Sequence, residues 1–313
     1  MKAVIYVFSG TGNTMLVAQL YKQFLSSYET VIHRLGFGEV PSSSDADLIG
    51  FAYPIHGFNA PKVMVDFCRS MPSVGKKGER VKRCFVFKTS GEGLSFNNYS
   101  SQKMIKILEK KGYYFVSERH YVMPYNMIFR HSPEMVKSEY IYARALVRLN
   151  CRQISSGMEE NVHTNPLKAW FVPVFRIEWI YAQAQGPFMK VDMSKCVRCM
   201  KCVKGCPLQN ISYDGKKFKF GTNCSLCVCC SFNCPTCAIS IGLLNGWRVN
   251  GSYNIQKTAG DSSIQFPYFD ENLKGLKRWL FYKYYKNCDE VLKNGGIDLN
   301  DDIRAVSVQE RTD

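Results

Sequence analysis

The chain has no long hydrophobic run. The longest candidate, Asn165–Gly186, is broken by Lys168, Arg176 and Glu178, so it falls short of the roughly 20 apolar residues that a membrane-spanning helix needs. No secretory leader is legible either: "MKAVIYVFSG" holds too short an apolar stretch, and no small-residue cleavage site follows it. The expected compartment is the cytoplasm. Acidic residues are scarce, 26 Asp and Glu against 41 Lys and Arg over 313 residues, for a net charge of +15. The excess is uneven, with +10 in residues 51–150 and +6 in residues 190–240. Such a surface attracts anionic partners but does not by itself say which. No lysine follows the one Gly/Ser/Thr-rich loop in a G-K-[ST] pattern, which excludes a nucleoside-triphosphate P-loop, and G-x-G-x-x-G spacing is missing, which disfavours a dinucleotide. No catalytic acid–base constellation stands out.

Cysteine is abundant, at fourteen, and ten of these fall between Cys196 and Cys237 in tight C-x-x-C groups. In a chain without an export signal, that clustering favours metal over disulfides. At 46 % hydrophobic residues and this length, about two domains are expected.

The first is α/β. Apolar runs at Lys2–Phe8, Thr30–Leu35, Asp47–Tyr53, Arg83–Lys88 and Tyr114–Met123 alternate with helical patterns. In the last helix Ser132 is the expected N-cap, with Pro133 at the first helical position. Val136, Tyr140, Ala143, Val147 and Ile154 then form a stripe closed by Gly157. Such alternation implies a doubly wound parallel sheet, with the ligand at the carboxyl ends of the strands. Ser9-Gly10-Thr11-Gly12-Asn13-Thr14 sits at that edge of the first strand and opens the first helix. Free backbone N–H groups, the helix dipole and three hydroxyls make it a cradle for one phosphate monoester.

This loop resembles the [ST]-x-T-G-x-T phosphate loop of the flavodoxin family, and the resemblance covers about residues 1–160. It implies a five-stranded sheet in order 2-1-3-4-5 and FMN, with the phosphate on Ser9–Thr14. The flavin ring would lie between Tyr53-Pro54-Ile55-His56-Gly57-Phe58-Asn59 and Thr89-Ser90-Gly91-Glu92. Tyr53, His56 and Phe58 are candidates to stack on the ring, and Gly57 to turn its peptide toward it. His56, in a loop without acids, is either a residue that eases two-electron reduction or an ordinary surface residue. Asn126 and Arg130, after the fifth strand, either touch a substrate or support the fold.

Downstream, Cys196, Cys199, Cys202 and Cys206-Pro207 spell C-x2-C-x2-C-x3-C-P. Cys224, Cys227, Cys230 and Cys234-Pro235 repeat it 28 residues later. A zinc site takes four ligands, usually in two separated pairs, and fits this poorly. The pattern resembles bacterial two-[4Fe–4S] ferredoxins, in which the fourth cysteine of each run ligates the other cluster. Carried over, one cluster takes Cys196, Cys199, Cys202 and Cys234, and the other takes Cys224, Cys227, Cys230 and Cys206. Cys229 and Cys237 fit no ligand slot. Arg198, Lys201 and Lys204 beside the ligands suit either an acidic electron carrier or plain solvation.

The expected division is residues 1–164 (flavodoxin-like), 165–188 (an aromatic linker that packs), 189–245 (a smaller α+β two-[4Fe–4S] unit) and 246–313 (an extension packed on the ferredoxin part). The whole resembles flavodoxin–ferredoxin fusion proteins of anaerobic bacteria and archaea. Two function classes follow: an electron-transfer protein that serves other redox proteins, such as an acidic ferredoxin or flavodoxin, and a flavin-dependent reductase of a quinone, metal complex or nicotinamide. A redox sensor lacks any output domain here. Nucleic acid is not expected as a partner, and membrane-surface contact is disfavoured.

Overall fold

The computed structural model describes residues 1–38, 45–160, 174–175 and 177–309. Its first unit is a five-stranded parallel sheet in the order β2-β1-β3-β4-β5. The strands are β1 (Lys2–Val7), β2 (Glu29–Arg34), β3 (Leu48–Pro54), β4 (Lys82–Ser90) and β5 (Tyr113–Val122). β1 and β3 are buried almost throughout, as central parallel strands covered on both faces must be. The intervening helices are α1 (Asn13–Phe24), α2 (Lys62–Ser70) and α3 (Gln102–Glu109), and α4 (Pro133–Ser155) follows β5. Two cores result, one on each face of the sheet. Val17, Tyr21 and Phe87 belong to the α1/α4 side, and Tyr6, Phe51 and Met64 to the α2/α3 side.

α4 begins as expected, with the Ser132 Oγ accepting from the Met135 N–H at 3.5 Å and Pro133 in the first turn. Its burial departs from a one-sided stripe. Lys137, Ser138, Glu139 and Arg144 are buried along with the apolar residues. The cause is the C-terminal extension, comprising α8 (Ile255–Gly260), α9 (Gly275–Lys277), a π-helical turn Arg278–Tyr282, α10 (Lys283–Asn294) and α11 (Leu299–Gln309). Phe281, Tyr285, Leu292 and Val306 join the α1/α4 core. The polar side chains of α4 bond this layer: Lys137 Nζ donates to the Asp261 carbonyl at 2.7 Å, the Tyr142 hydroxyl to Asp289 at 2.6 Å, and Arg148 to Asp302 at 2.6 Å. The extension was expected on the ferredoxin part. It packs instead on the sheet unit, because α4 offers apolar area on both sides.

The cysteine-rich unit holds α6 (Lys201–Lys204), α7 (Cys229–Phe232) and two short antiparallel ribbons, β6 (Lys190–Val191) with β9 (Ile239–Ser240) and β7 (Ile211–Tyr213) with β8 (Phe218–Phe220). The sequence repeat is a backbone repeat as well. Arg198, Met200 and Gln209 have positive φ, and so do their counterparts 28 residues on, Leu226, Val228 and Cys237. Between the units lies α5 (Ile177–Gln185). Of the linker aromatics, Trp170 and Phe171 lie outside the described residues, as do Pro166 and Pro173. Phe175 meets Phe58 edge-on at 5.0 Å, and Trp179 packs into the α2/α3 core with Lys103 Nζ 4.8 Å from its ring centre. Among the described residues, no helix is long and apolar enough to cross a membrane.

Candidate functional site

At the carboxyl edge of the sheet the loops enclose a cavity of about 770 Å³, within the range of cofactor sites. Ser9, Gly10, Thr11, Asn13 and Thr14 line one part of it, Pro54–Phe58 a second and Thr89–Glu92 a third. These three loops converge because each follows a strand of the parallel sheet at the same edge.

The phosphate loop is held from all sides. Gly12, at φ +105°, precedes α1 in a conformation that disfavours any side chain. The Ser9 Oγ accepts from the Met15 N–H at 3.3 Å, and Arg34 donates to the Ser9 carbonyl at 3.2 Å. Thr14 and Thr89 share a hydroxyl–hydroxyl hydrogen bond of 2.8 Å, which ties the loop to β4. The Asn13 side-chain amide donates to the Pro124 carbonyl at 2.7 Å. That side chain therefore fixes the loop, while the backbone amides carry the cradle.

In the second loop, His56 and Asn59 exchange backbone hydrogen bonds of 2.9 Å across Gly57 and Phe58, which both have positive φ. Asn59 braces the turn by donating to the Gly57 carbonyl at 2.8 Å, and it does not line the cavity. Tyr53 is no stacking residue. β3 runs through Pro54, so Tyr53 is still a strand residue, fully buried, with its hydroxyl 3.1 Å from Ser100 Oγ. Phe58 lines the cavity but is held between Phe96 and Phe175. His56 is half-buried rather than a surface residue. Burial pushes its imidazole down to about 4, against a hydrogen bond to the Ser225 backbone. Burial thus favours its neutral form.

In the third loop, Gly91 leaves room for the Tyr125 ring, which a Cβ would strike. The Tyr125 hydroxyl donates to Glu92, whose other oxygen accepts from Asn97 Nδ2 at 2.9 Å. Tyr125 was not expected at the site, although it adjoins the recognised Asn126. Asn126 lines the cavity and donates to Thr11 Oγ1 at 3.1 Å. Arg130 does not reach the cavity. It binds the carbonyls of Asn250, Gly251 and Ser252 and lies 4.3 Å from the Tyr253 ring centre, in a supporting role.

The cysteine-rich unit closes the cavity. Leu226, Cys227, Leu244 and Trp247 complete its wall. The approach is tight: a Cβ at Gly10 would lie 2.6 Å from the Cys227 carbonyl oxygen and 3.3 Å from its sulfur. Gly36, beyond β2, abuts Pro207 in the same way. Ile128 N–H donates to the Trp247 carbonyl at 2.6 Å. Loops at the carboxyl ends of four strands thus touch the second unit.

Within that unit the cysteines sort into two small cavities. One is lined by Cys196, Cys199, Cys202 and Cys234, the other by Cys206, Cys224, Cys227 and Cys230. Equivalent backbone amides meet equivalent sulfurs: Asn210 N–H donates to Cys206 and Ala238 N–H to Cys234, both at 3.3 Å. Such bonds favour a thiolate. Cys229 also borders the second cavity but is buried, its thiol donating to the Gly205 carbonyl at 3.2 Å. Cys237 takes the left-handed backbone position that Gln209 occupies in the first repeat. The first cavity lies toward solvent, with Val197, Arg198, Cys199, Lys201 and Lys204 exposed. The second faces the sheet unit.

A family model, the 4Fe-4S binding domain, matches residues 188–212. No curated protein matches the chain. Three similar solved structures are flavodoxins. That of Streptococcus pneumonia TIGR4 is 16 % identical over 50 % of this chain and 100 % of its own, with a TM-score of 0.36. Oxidised Flavodoxin 1 from Bacillus cereus is 18 % identical over 51 % and 100 %, with a TM-score of 0.37. Two-electron reduced Megasphaera elsdenii flavodoxin is 18 % identical over 48 % and 98 %, with a TM-score of 0.34. With its 2-1-3-4-5 parallel sheet and its matched 4Fe-4S binding segment, the chain joins a flavodoxin-like unit to a ferredoxin-type unit.

Proposed function

We propose that this chain is an electron-transfer flavo-iron–sulfur protein that carries electrons through two [4Fe–4S] clusters to FMN and exchanges them with other redox proteins. The observation that carries the reading is Cys227, which borders both the second cysteine cavity and the wall of the flavin cavity. The donor set fits FMN: backbone amides at Ser9–Thr14 for a phosphate and a large, mostly apolar cavity for a ring system. Bound there, flavin takes one electron or two, whereas each cluster passes one at a time.

The order of the cofactors follows from exposure. The quartet Cys196, Cys199, Cys202 and Cys234 meets solvent among Arg198, Lys201 and Lys204, which suits docking by an acidic carrier. The quartet with Cys227 lies inside, against the flavin cavity. The path then runs from a partner through the outer cluster and the inner cluster to the flavin, or in reverse. Even with eight thiolates, two cubane cores and a phosphate counted, the holoprotein stays basic at about +9, which favours an acidic partner.

The alternative, a reductase of a small molecule at the flavin, is favoured by the exposed apolar rim of Ile128 and Trp247 on the same cavity. One experiment separates the parts. The protein is purified without oxygen, and iron, sulfide and flavin are measured per chain. About eight iron, eight sulfide and one FMN support the reading. Eight iron with no FMN, even after FMN is added, overturns it. Flavin reduction by a reduced acidic ferredoxin, weakened by salt and by Lys201→Glu with Lys204→Glu, then distinguishes the carrier from a reductase, which would need its small-molecule oxidant for turnover.

A further inference from the structure

Besides Glu92, the flavin cavity has an acid that comes from outside the flavodoxin-like sheet. Glu178 lies in the first turn of α5, and its side chain crosses Gly57, where a Cβ would collide with the carboxylate. It lines the flavin cavity beside the Gly57–Phe58 turn, with Phe175 next to it. No hydrogen-bond or ion-pair partner holds the carboxyl among the described residues. The titratable groups that line the cavity with it are His56 on the β3 loop, Tyr181 on α5 itself, and Glu92 and Tyr125. Lys62 and Asp66 on α2 border an adjoining hollow with Cys224, and His56 and Glu178 line both it and the flavin cavity, whose wall also holds Cys227.

We propose that the Glu178 carboxyl contacts the bound flavin ring and delivers a proton to it as the flavin is reduced. The inference rests on the FMN reading above. The electrons come singly from a reduced cluster, which is oxidised. The proton leaves the carboxyl, which becomes a carboxylate and takes another proton from solvent through the cavity mouth. Burial supports the assignment, since it raises this carboxyl to about 7, where donor and acceptor forms are both populated. Burial favours the neutral form of His56, whose remaining N–H is a far weaker acid than a carboxyl. Glu92 is engaged by Tyr125 and Asn97.

The test is the midpoint potential of the flavin in the FMN-loaded holoprotein, followed by anaerobic spectroelectrochemistry from about pH 5.5 to about pH 8.5. Glu178→Gln copies the neutral acid. Its potential is expected to match wild type at the acid end and to be shifted positive at the alkaline end, where the wild-type carboxylate opposes electron addition. Superimposable curves across the range, with FMN bound to both proteins, overturn the proposal while leaving the FMN reading intact. A chain that binds no FMN fails that reading first. Time-resolved infrared spectra of the wild-type holoprotein near pH 6, started by photoreduction, need no variant. A transient loss of the protonated-carboxyl band as the flavin is reduced supports the proposal, and no carboxyl change at any delay overturns it.

Discussion

Gly10 tests the union of the two units. It belongs to the phosphate loop, yet its tightest constraint is Cys227. In Gly10→Ala the new Cβ meets the Cys227 carbonyl oxygen at 2.6 Å and its Cβ at 2.9 Å, where ordinary contact begins at 3.4 Å. Relief needs about 0.8 Å of movement between two backbones. Neither gives easily. The Gly10 side is held by Arg34 on the Ser9 carbonyl, and the Cys227 side borders the small cavity it shares with Cys206, Cys224 and Cys230. Overpacking of this kind costs about 1–3 kcal/mol, a factor of roughly 5–150 in the docking equilibrium. Gly12→Ala is the matched control. Its φ of +105° strains any side chain, but nothing lies within 4 Å of the added atom, so the cost of about 1–2 kcal/mol is confined to the loop. In stopped flow against a reduced ferredoxin, with cluster and flavin absorbance followed separately, Gly10→Ala is expected to slow flavin bleaching after cluster bleaching. Gly12→Ala is expected to weaken FMN binding and leave that step unchanged. Equal behaviour of the two variants, or a Gly10→Ala protein with wild-type transfer, would refute the docked arrangement.

Other expectations follow from the same geometry. Cys227→Ala should lower iron from about eight to about four per chain, keep FMN, and abolish flavin reduction through the clusters. Cys229→Ala should leave the iron content unchanged, since that thiol bonds the Gly205 carbonyl; colorimetric iron and flavin assays decide both. His56 and His120 are held by burial at about 4 and about 3. As pH falls from 6.5 the unfolded chain takes up protons that the folded chain refuses, so stability should drop between about pH 6.5 and 3, the His56 share being complete by about 4. Replacing His56 by Gln should flatten that part of a Tm-against-pH curve. Phe281 is fully buried against α4. Phe281→Ala should therefore cost about 3–5 kcal/mol and lower the temperature of flavin release, with iron per chain unaffected.

What was legible in the sequence was local. The cradle Ser9–Thr14 and the paired cysteine runs each lie in one short stretch, and their spacing carries the chemistry with no help from the rest of the chain. The five strands were legible because buried parallel strands read as unbroken apolar runs. The illegible parts depend on where remote segments meet. Nothing near Gly57 announces Glu178, about 120 residues later, and the loop reads as acid-free until α5 is laid across it. Tyr53 read as a ring contact because sequence cannot say on which residue β3 ends, and one residue decides between core and cavity. The extension was assigned to the ferredoxin part by adjacency in the chain. It lies on α4 because Lys137, Tyr142 and Arg148 find carbonyl and carboxylate partners there. Gly10 joins the two kinds of information. Its place in the phosphate loop is local and was read at once. Its second constraint, the Cys227 backbone, comes from the opposite unit. A glycine that serves both roles leaves less room for substitution than the phosphate loop alone demands, and for that reason it is the residue at which the fusion is best tested.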